Sequence, residues 1–442
     1  MKSIYLSLII FSFSAVMYSQ AGHIMQGVGA VNMSMGGAST AQPLDISGAL
    51  QWNPAAISGF NQNILKFDIG AFFSAPQLNS TVPEFNNLGQ PTGNFFSGTT
   101  EDDRGVSPMP ALAMVWGKEG SKHTFGASAF GISGFGVTFP ESMTNPINMP
   151  QSMGGFGRIE SDYMLLQVGL AYAYQLTDKF SIGVQPTINY AALELAPNPT
   201  ANPNASGYPS TDKATAIGYG AQFGLFYDSG FGLKLGASYK TAQKFSEFEF
   251  TNTYLDNSTA KNKFQMDYPA ILSLGFGYST NNFDLALDFR RVDYENTDGF
   301  STTGWTQTAS VAGFGWKNIN ILSAGLQYKG IKKLPLRFGY TYSSNPIDSE
   351  VAFFNIPATA IIKDAFQFGL SYEVSDKLCI DAVYHHGASD GSTSGQLLNP
   401  MFAQAYPPYG AIPGSEVSYN MTTDLIMIGF SYTFKKSEKE TN

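Results

Sequence analysis

From about Leu65 onward, large apolar residues alternate with small or polar ones, the period-two signature of β-strands. Tyr163 to Thr177 shows it most plainly. Leu166, Val168, Leu170, Tyr172, Tyr174 and Leu176 take one face, and Gln167, Gly169, Ala171, Ala173 and Gln175 the other. Tyr219, Ala221, Phe223, Leu225 and Tyr227 repeat the pattern, as do Leu272 to Tyr278 and Phe366 to Val374. In a soluble sandwich the face away from the core would be rich in charge. Here it holds Gly, Ser, Ala and Gln, which suits the wall of a lumen, with the large face turned to lipid.

About fourteen such segments occur, centred near Ile69, Met114, Ala127, Leu170, Val184, Phe223, Leu235, Leu274, Leu287, Ala324, Phe338, Phe368, Ile380 and Ile428. An even count fits a closed all-β antiparallel transmembrane barrel, and lipid, which cannot satisfy an open strand edge, requires closure. The connections alternate in length. Short links run Lys118 to Lys122, Thr177 to Lys179, Asp228 to Gly232, Thr280 to Asn282, Lys329 to Leu334 and Ser375 to Lys377. Long ones run Ala75 to Pro110, Gly134 to Asp162, Ala196 to Ala214, Asn252 to Phe264, Asn296 to Lys317, Asn345 to Lys363 and Gly387 to Asn420. Short periplasmic turns and long external loops are the rule in outer-membrane barrels, so both ends of the barrel region (63–434) fall on the periplasmic side. The closing strand alternates through Ile426, Ile428, Phe430, Tyr432 and Phe434, and a polar tail, Lys435 to Asn442, follows.

Composition sharpens this picture. Charged residues make up 13% and aromatics 14%, with 46 Gly; a soluble domain carries about 25% charged residues. The N-terminus has Lys2, an apolar run from Ile4 to Met17, and small residues at Ser19 and Ala21, which predicts a signal peptide over 1–21 and export. A net charge of −9 argues against a nucleic-acid partner. The single Cys excludes an intrachain disulfide framework.

Residues 22–62 lack a spanning pattern. They are small and Gly-rich (Gly27, Gly29, Gly36, Gly37, Ala38) and end in Trp52-Asn53-Pro54-Ala55-Ala56. A barrel of this size leaves interior space, so a plug folded into the lumen is the expectation over a loose leader. At these residues the chain resembles the FadL/TodX family of outer-membrane transporters for long-chain fatty acids and aromatic hydrocarbons. Gly27-Val28-Gly29, Gly36-Gly37-Ala38 and the Asn53, Pro54, Ala55 signature are similar to that family's hatch. Further likeness lies in Phe135-Gly136, in Gly157-Arg158, in Gly232 to Lys240, in Arg337 to Tyr340 with Pro357, and in Phe368 to Tyr372. Where the family commonly carries Pro before the Phe-Gly of the third strand, this chain has Ser133-Gly134. The resemblance implies passive uptake of a hydrophobic molecule. Its stages are capture at the loops, passage to a lumenal pocket, a hatch shift and sideways exit at a kinked third strand (Gly131, Gly134, Phe135, Gly136). The competing readings are a general diffusion porin or a structural or adhesive barrel; a porin would lack the hatch and line its constriction with more charge.

No catalytic constellation stands out, so no enzymatic activity, metal or cofactor is expected. His385 and His386 are adjacent on a strand and point to opposite faces, a poor spacing for a metal. Asp284, Asp288 and Arg290 share one face of the ninth segment, and Lys234 and Arg337 also alternate with apolar neighbours. A basic residue facing lipid at mid-bilayer costs about 2–4 kcal/mol, so these should point inward. With Arg158 they are candidate lumenal contacts, either for a ligand head group or for the plug. Loop residues Phe85, Phe95, Phe96, Met143, Met149, Met153, Phe156, Phe402, Tyr406 and Tyr409 could pack among themselves or form a landing surface. The expected partners are a hydrophobic small molecule or lipid, the outer-membrane lipid itself and the barrel-assembly machinery, with a monomer as the working form.

Overall fold

The computed structural model describes residues 22–86 and 91–434; the expected signal peptide and polar tail lie outside them. Among these residues no helix is long and apolar enough to cross a membrane. Crossing is by strands.

Fourteen strands form the wall: β1 Asn63–Phe85, β2 Val106–Trp116, β3 His123–Phe139, β4 Ile159–Gln175, β5 Phe180–Ala196, β6 Ala214–Asp228, β7 Leu233–Lys240, β8 Ala270–Ser279, β9 Phe283–Asp293, β10 Ile319–Tyr328, β11 Leu336–Ser343, β12 Asp364–Glu373, β13 Leu378–Ala388 and β14 Glu416–Phe434. Each pairs antiparallel with the next, and β1 closes on β14 from Asn63↔Phe434 to Thr81↔Glu416. Closure gives every strand of the wall a partner on each side, as lipid requires.

Alternation fixes which side chains face out. On β4, Val168 and Leu170 are exposed, whereas Gln167, Ala171 and Ala173 are buried on the lumenal side. Near the short turns the outward positions carry Trp116, Tyr278, Phe283, Tyr372 and Phe434, the aromatic girdle of a membrane interface.

Two of the expected long loops are more regular than the sequence suggests. The link from Ala75 to Pro110 is no loop: β1 runs on to Phe85, and the strand Pro91–Glu101 pairs back on it from Gln77↔Glu101 to Phe85↔Pro91. Around Asn252 to Phe264, Phe248–Thr253 and Thr259–Phe264 form a hairpin. Above the membrane Ser, Thr and Asn replace the apolar face, so the hydrophobic alternation fades although the backbone stays paired.

The N-terminal segment lies inside the barrel. Residues 22–57 are buried throughout except Pro43 and Leu44, which are half-buried. Two short helices form, α1 Ala30–Ser34 and α2 Ile46–Trp52. Asp45 starts α2 by accepting from Gly48 N at 2.9 Å, and Asn53 caps the turn that follows by accepting from Ala55 N at 3.1 Å. Between the helices Gly36 and Gly37 sit at φ 66° and 75°, where L side chains are strained. A Cβ on Gly37 would also stand 1.9 Å from Gln26 O.

The closed ladder gives one direct expectation. The purified protein should show β-rich circular dichroism and run more slowly on a gel after boiling; a helical spectrum, or identical migration before and after heating, would rule the architecture out.

Candidate functional site

Strand β3 departs from a regular ladder. Its pairing with β4 shifts register between Gly131 and Ser133, which makes Ile132 the extra residue of a bulge. On its other side β3 pairs with β2 only from Ala111↔Phe130 to Trp116↔Phe125. Beyond Ala111, β2 stays bonded to β1 as far as Val106. The two strands therefore part, and the wall has a gap. The chain's own first described residues satisfy the freed edge of β3: Met25 N donates to Ile132 O (3.0 Å), Gly134 N to His23 O (3.2 Å) and Ser133 Oγ to His23 O (2.8 Å).

The gap leads into a cavity of about 420 Å³. Its lining includes Met164, which faces outward and is exposed, and Met421, which is buried inside, so the cavity connects the two sides of the wall. Phe72, Val106, Met109 and Phe135 are among its other apolar lining residues, and Arg104 also lines it.

At the inner end of the gap His23 is fully buried among the rings of Phe135, Tyr163, Tyr268, Tyr294, Phe300 and Trp316, with centroids 4.9–6.5 Å away. Its Nδ1 lies 2.8 Å from the Tyr294 hydroxyl. Burial pushes the imidazole down to about 3, so it stays neutral at ordinary pH.

Two buried ionic clusters pin the hatch. In the first, Lys66 of β1 lies 2.9 Å from Asp45, 2.7 Å from Asp381 of β13 and 3.8 Å from Asp68. Asp68 in turn accepts from Ala30 N, the first residue of α1, at 2.9 Å. In the second, Asp288 of β9 accepts from Ser39 N, Thr40 N and Thr40 Oγ1 at 2.8–2.9 Å and pairs with Arg290 at 2.5 Å. Arg290 donates to Gly37 O at 2.6 Å and stacks 3.7 Å from the Trp52 ring. Asn53 completes the attachment, donating to Thr40 O (2.8 Å) and to Leu225 O of β6 (2.9 Å). Below the Asn53-Pro54-Ala55 turn the wall has Gly224, where a Cβ would stand 2.1 Å from Asn53 Oδ1. In these two clusters Lys66 and Arg290 each face at least one carboxylate, and the carboxylates face a cation or backbone N–H donors, which is what makes such groups tolerable in a dry interior.

The chain matches the family model described as outer membrane protein transport protein (OMPP1/FadL/TodX) over residues 13–435. It belongs to that family. Solved structures share the fold. The toluene transporter TodX of P. putida is 17% identical with a TM-score of 0.66, covering 93% of this chain and 99% of its own. A Pseudomonas aeruginosa FadL homologue is 14% identical with a TM-score of 0.71, covering 94% and 100%. The Ralstonia pickettii toluene transporter TbuX is 16% identical with a TM-score of 0.62, covering 93% and 99%. No curated protein matches the chain in sequence. These FadL/TodX neighbours are transporters rather than enzymes, and the chain is a member of an outer-membrane transport family.

Within this FadL/TodX barrel the candidate residues read from sequence separate into groups. Gly131, Gly134, Phe135 and Gly136 stand together at the gap. Asp288, Arg290, Asn53, Pro54 and Ala55 meet at the hatch. Arg337 is buried in the lumen near the short turns, donating from Nε to Gln327 Oε1 at 2.6 Å. Lys234, half-buried, lies on the lumenal side at the start of β7. Arg158 does not reach the lumen: its side chain is 50% exposed and pairs with Glu160 at 2.8 Å on the outward face, because it precedes β4 in the outward register. His385 is buried on the lumenal side beside Gln367, whereas His386 faces out and lies 2.7 Å from Asp424. Of the loop residues, Phe156 and Tyr409 pack against the hydrophobic core, and Phe85, Phe95, Met143, Met153, Phe402 and Tyr406 are exposed.

Sequence reasoning missed Lys66, Asp68 and Asp381. The Lys66-Phe67-Asp68 alternation is the same signal that marked β9 and could have found the first two. Removing Lys66 alone would leave three buried carboxylates without their cation, and breaking a buried pair in this way costs about 3–5 kcal/mol. Lys66→Met should therefore lower the temperature at which the barrel unfolds in the gel-shift assay and admit protease to the hatch. Wild-type values for both would mean that Lys66 does not anchor the hatch.

Proposed function

We propose that the protein mediates passive uptake of hydrophobic small molecules, long-chain fatty acids or aromatic hydrocarbons among them, and releases them sideways through the gap between β2 and β3. The observation that carries this reading is the parting of those strands above Ala111↔Phe130, with a cavity that reaches from buried Met421 to exposed Met164. A molecule leaving there passes from lumen to lipid without exposing its apolar surface to water, where each Å² costs about 25 cal/mol. An aqueous exit forfeits that gain.

Capture begins in this scheme at the loops, where Phe156, Tyr208, Trp305, Phe353, Phe354 and Pro357 border a small apolar pocket. The hatch, residues 22–62, is the movable element: it both fills the lumen and supplies the hydrogen bonds that close the gap edge. No cofactor or nucleotide takes part. The working form is a monomer embedded in outer-membrane lipid, since the ladder closes on itself, and the aromatic end of β14 at Phe434 is a handle for the barrel-assembly machinery.

The test is uptake into proteoliposomes. Hydrophobic solutes should accumulate in the bilayer with wild-type protein while ions and sugars are excluded. Sugar entry at a rate comparable to that of the hydrophobic solute would instead make the protein a diffusion porin. Mass spectrometry of molecules that co-purify in mild detergent would identify the substrate class.

A further inference from the structure

The upper end of the gap is polar and its sides are apolar. The link that precedes β2 is tied to β3 by Asp103 N donating to Thr138 O (2.8 Å) and Thr138 N donating to Asp102 Oδ1 (2.5 Å). Arg104 extends from this link across the outer face of β3 at Gly136. A Cβ at that position would stand 0.9 Å from Arg104 Nη1, so only glycine lets the guanidinium lie there. Nη1 donates to Ser161 O at 2.9 Å and to Phe135 O at 3.4 Å, and Nη2 donates to Asp162 Oδ1 at 2.5 Å. The side chain lines the cavity and keeps 18% exposure.

Asp162 has a second cation. Lys213 Nζ lies 2.7 Å from its other oxygen. The neighbouring Glu160 is held by Arg158, and Glu194 lies 3.9 Å from Lys213. Arg104 can therefore turn from Asp162 to a new anion without leaving a carboxylate at this lip unpaired. Its planar fork matches a carboxylate, and Val106, Met109 and Met164 below it offer an apolar bed for a tail.

We propose that Arg104 is the specificity-determining residue of the gap: it receives the carboxylate of an acidic amphiphile as the molecule leaves for the membrane. This inference rests on the lateral passage proposed above and adds a head-group preference to it. Hydrocarbons without a head group use the same apolar bed and make no use of Arg104.

The experiment compares uptake of oleate and of octadecene into phosphatidylcholine proteoliposomes. Arg104→Gln should slow oleate about tenfold, the effect of losing one charge-assisted hydrogen bond of about 1.4 kcal/mol, and leave octadecene unchanged. Gly136→Ala keeps the arginine but displaces it, and should give the same selective loss; Arg104→Lys should restore part of the oleate rate. Heat-modifiable migration verifies that each variant is folded. Equal slowing of both solutes would show that Arg104 only builds the wall, and unchanged rates for both would show no role; either overturns the proposal. An effect that emerges only when phosphatidylglycerol is added would assign Arg104 to a lipid head group and overturn it too. In parallel, Gly131→Trp should slow both solutes. If it slows neither, the lateral passage itself fails, and the head-group role fails with it.

Discussion

Deleting residues 22–56 is expected to convert a sealed barrel into an open channel. The segment is buried almost throughout and fills the space between β1, β6, β9 and β11. Without it, Lys66, Asp68, Asp381, Asp288 and Arg290 would line an empty interior. These charges draw in water, and a hydrated lumen of fourteen strands conducts ions. Planar bilayer recordings should go from an absence of resolvable steps to stable, porin-like ones. Recordings indistinguishable from wild type would show that the segment does not seal the lumen. Because β1 to β14 close without it, heat-modifiable migration should survive the deletion, which separates loss of the seal from loss of the fold.

The second large effect is expected from closing the gap. Gly131 pairs with Leu166 in the outward register, and a Cβ there would meet only Met109 Cε, at 3.8 Å. The site has room for a side chain, and the bulge beside it is held by the Met25 and His23 backbone rather than by Gly131 itself. A tryptophan should therefore leave the strand where it is and lay its ring over the opening toward Met109. Hydrophobic uptake should fall by an order of magnitude or more, the consequence of adding upward of about 1.4 kcal/mol to the barrier. An unchanged rate in a folded Gly131→Trp protein would end the case for this exit.

The sequence made the barrel legible because lipid imposes one rule on every strand. Each strand must show large apolar residues outward, so β4 and β9 announce both their existence and their two faces. The rule lapses where lipid ends. Asn79, Ser80 and Thr81 still pair with Thr99, Gly98 and Ser97 in turn, but nothing in their polarity marks a strand, and the extended hairpin reads as a loop. The hatch was visible only as an interruption of the pattern, together with the glycines and the Asn53-Pro54-Ala55 turn. What holds it was largely hidden. Lys66 and Asp381 are 315 residues apart, and Asp45 belongs to neither strand, so no periodicity links them. Arg104 lies in a short link with no pattern; the bonds of Asp102 and Asp103 to Thr138 bring it over Gly136, and the pairing of β3 with β4 sets Asp162 beside it.

The Lys66 cluster also bears on the order of events during folding. Lys66 is on the first strand and Asp381 on the thirteenth, and between them runs the last, β14, where a Cβ at Gly429 would stand 2.1 Å from Asp68. The two partners come within 2.7 Å only when β14 is seated between their strands. A chain truncated before β14 should accordingly leave residues 22–56 open to protease even where the earlier strands have paired. Barrel closure and this anchor of the hatch are thus one event in time: the strand that completes the wall also secures the door.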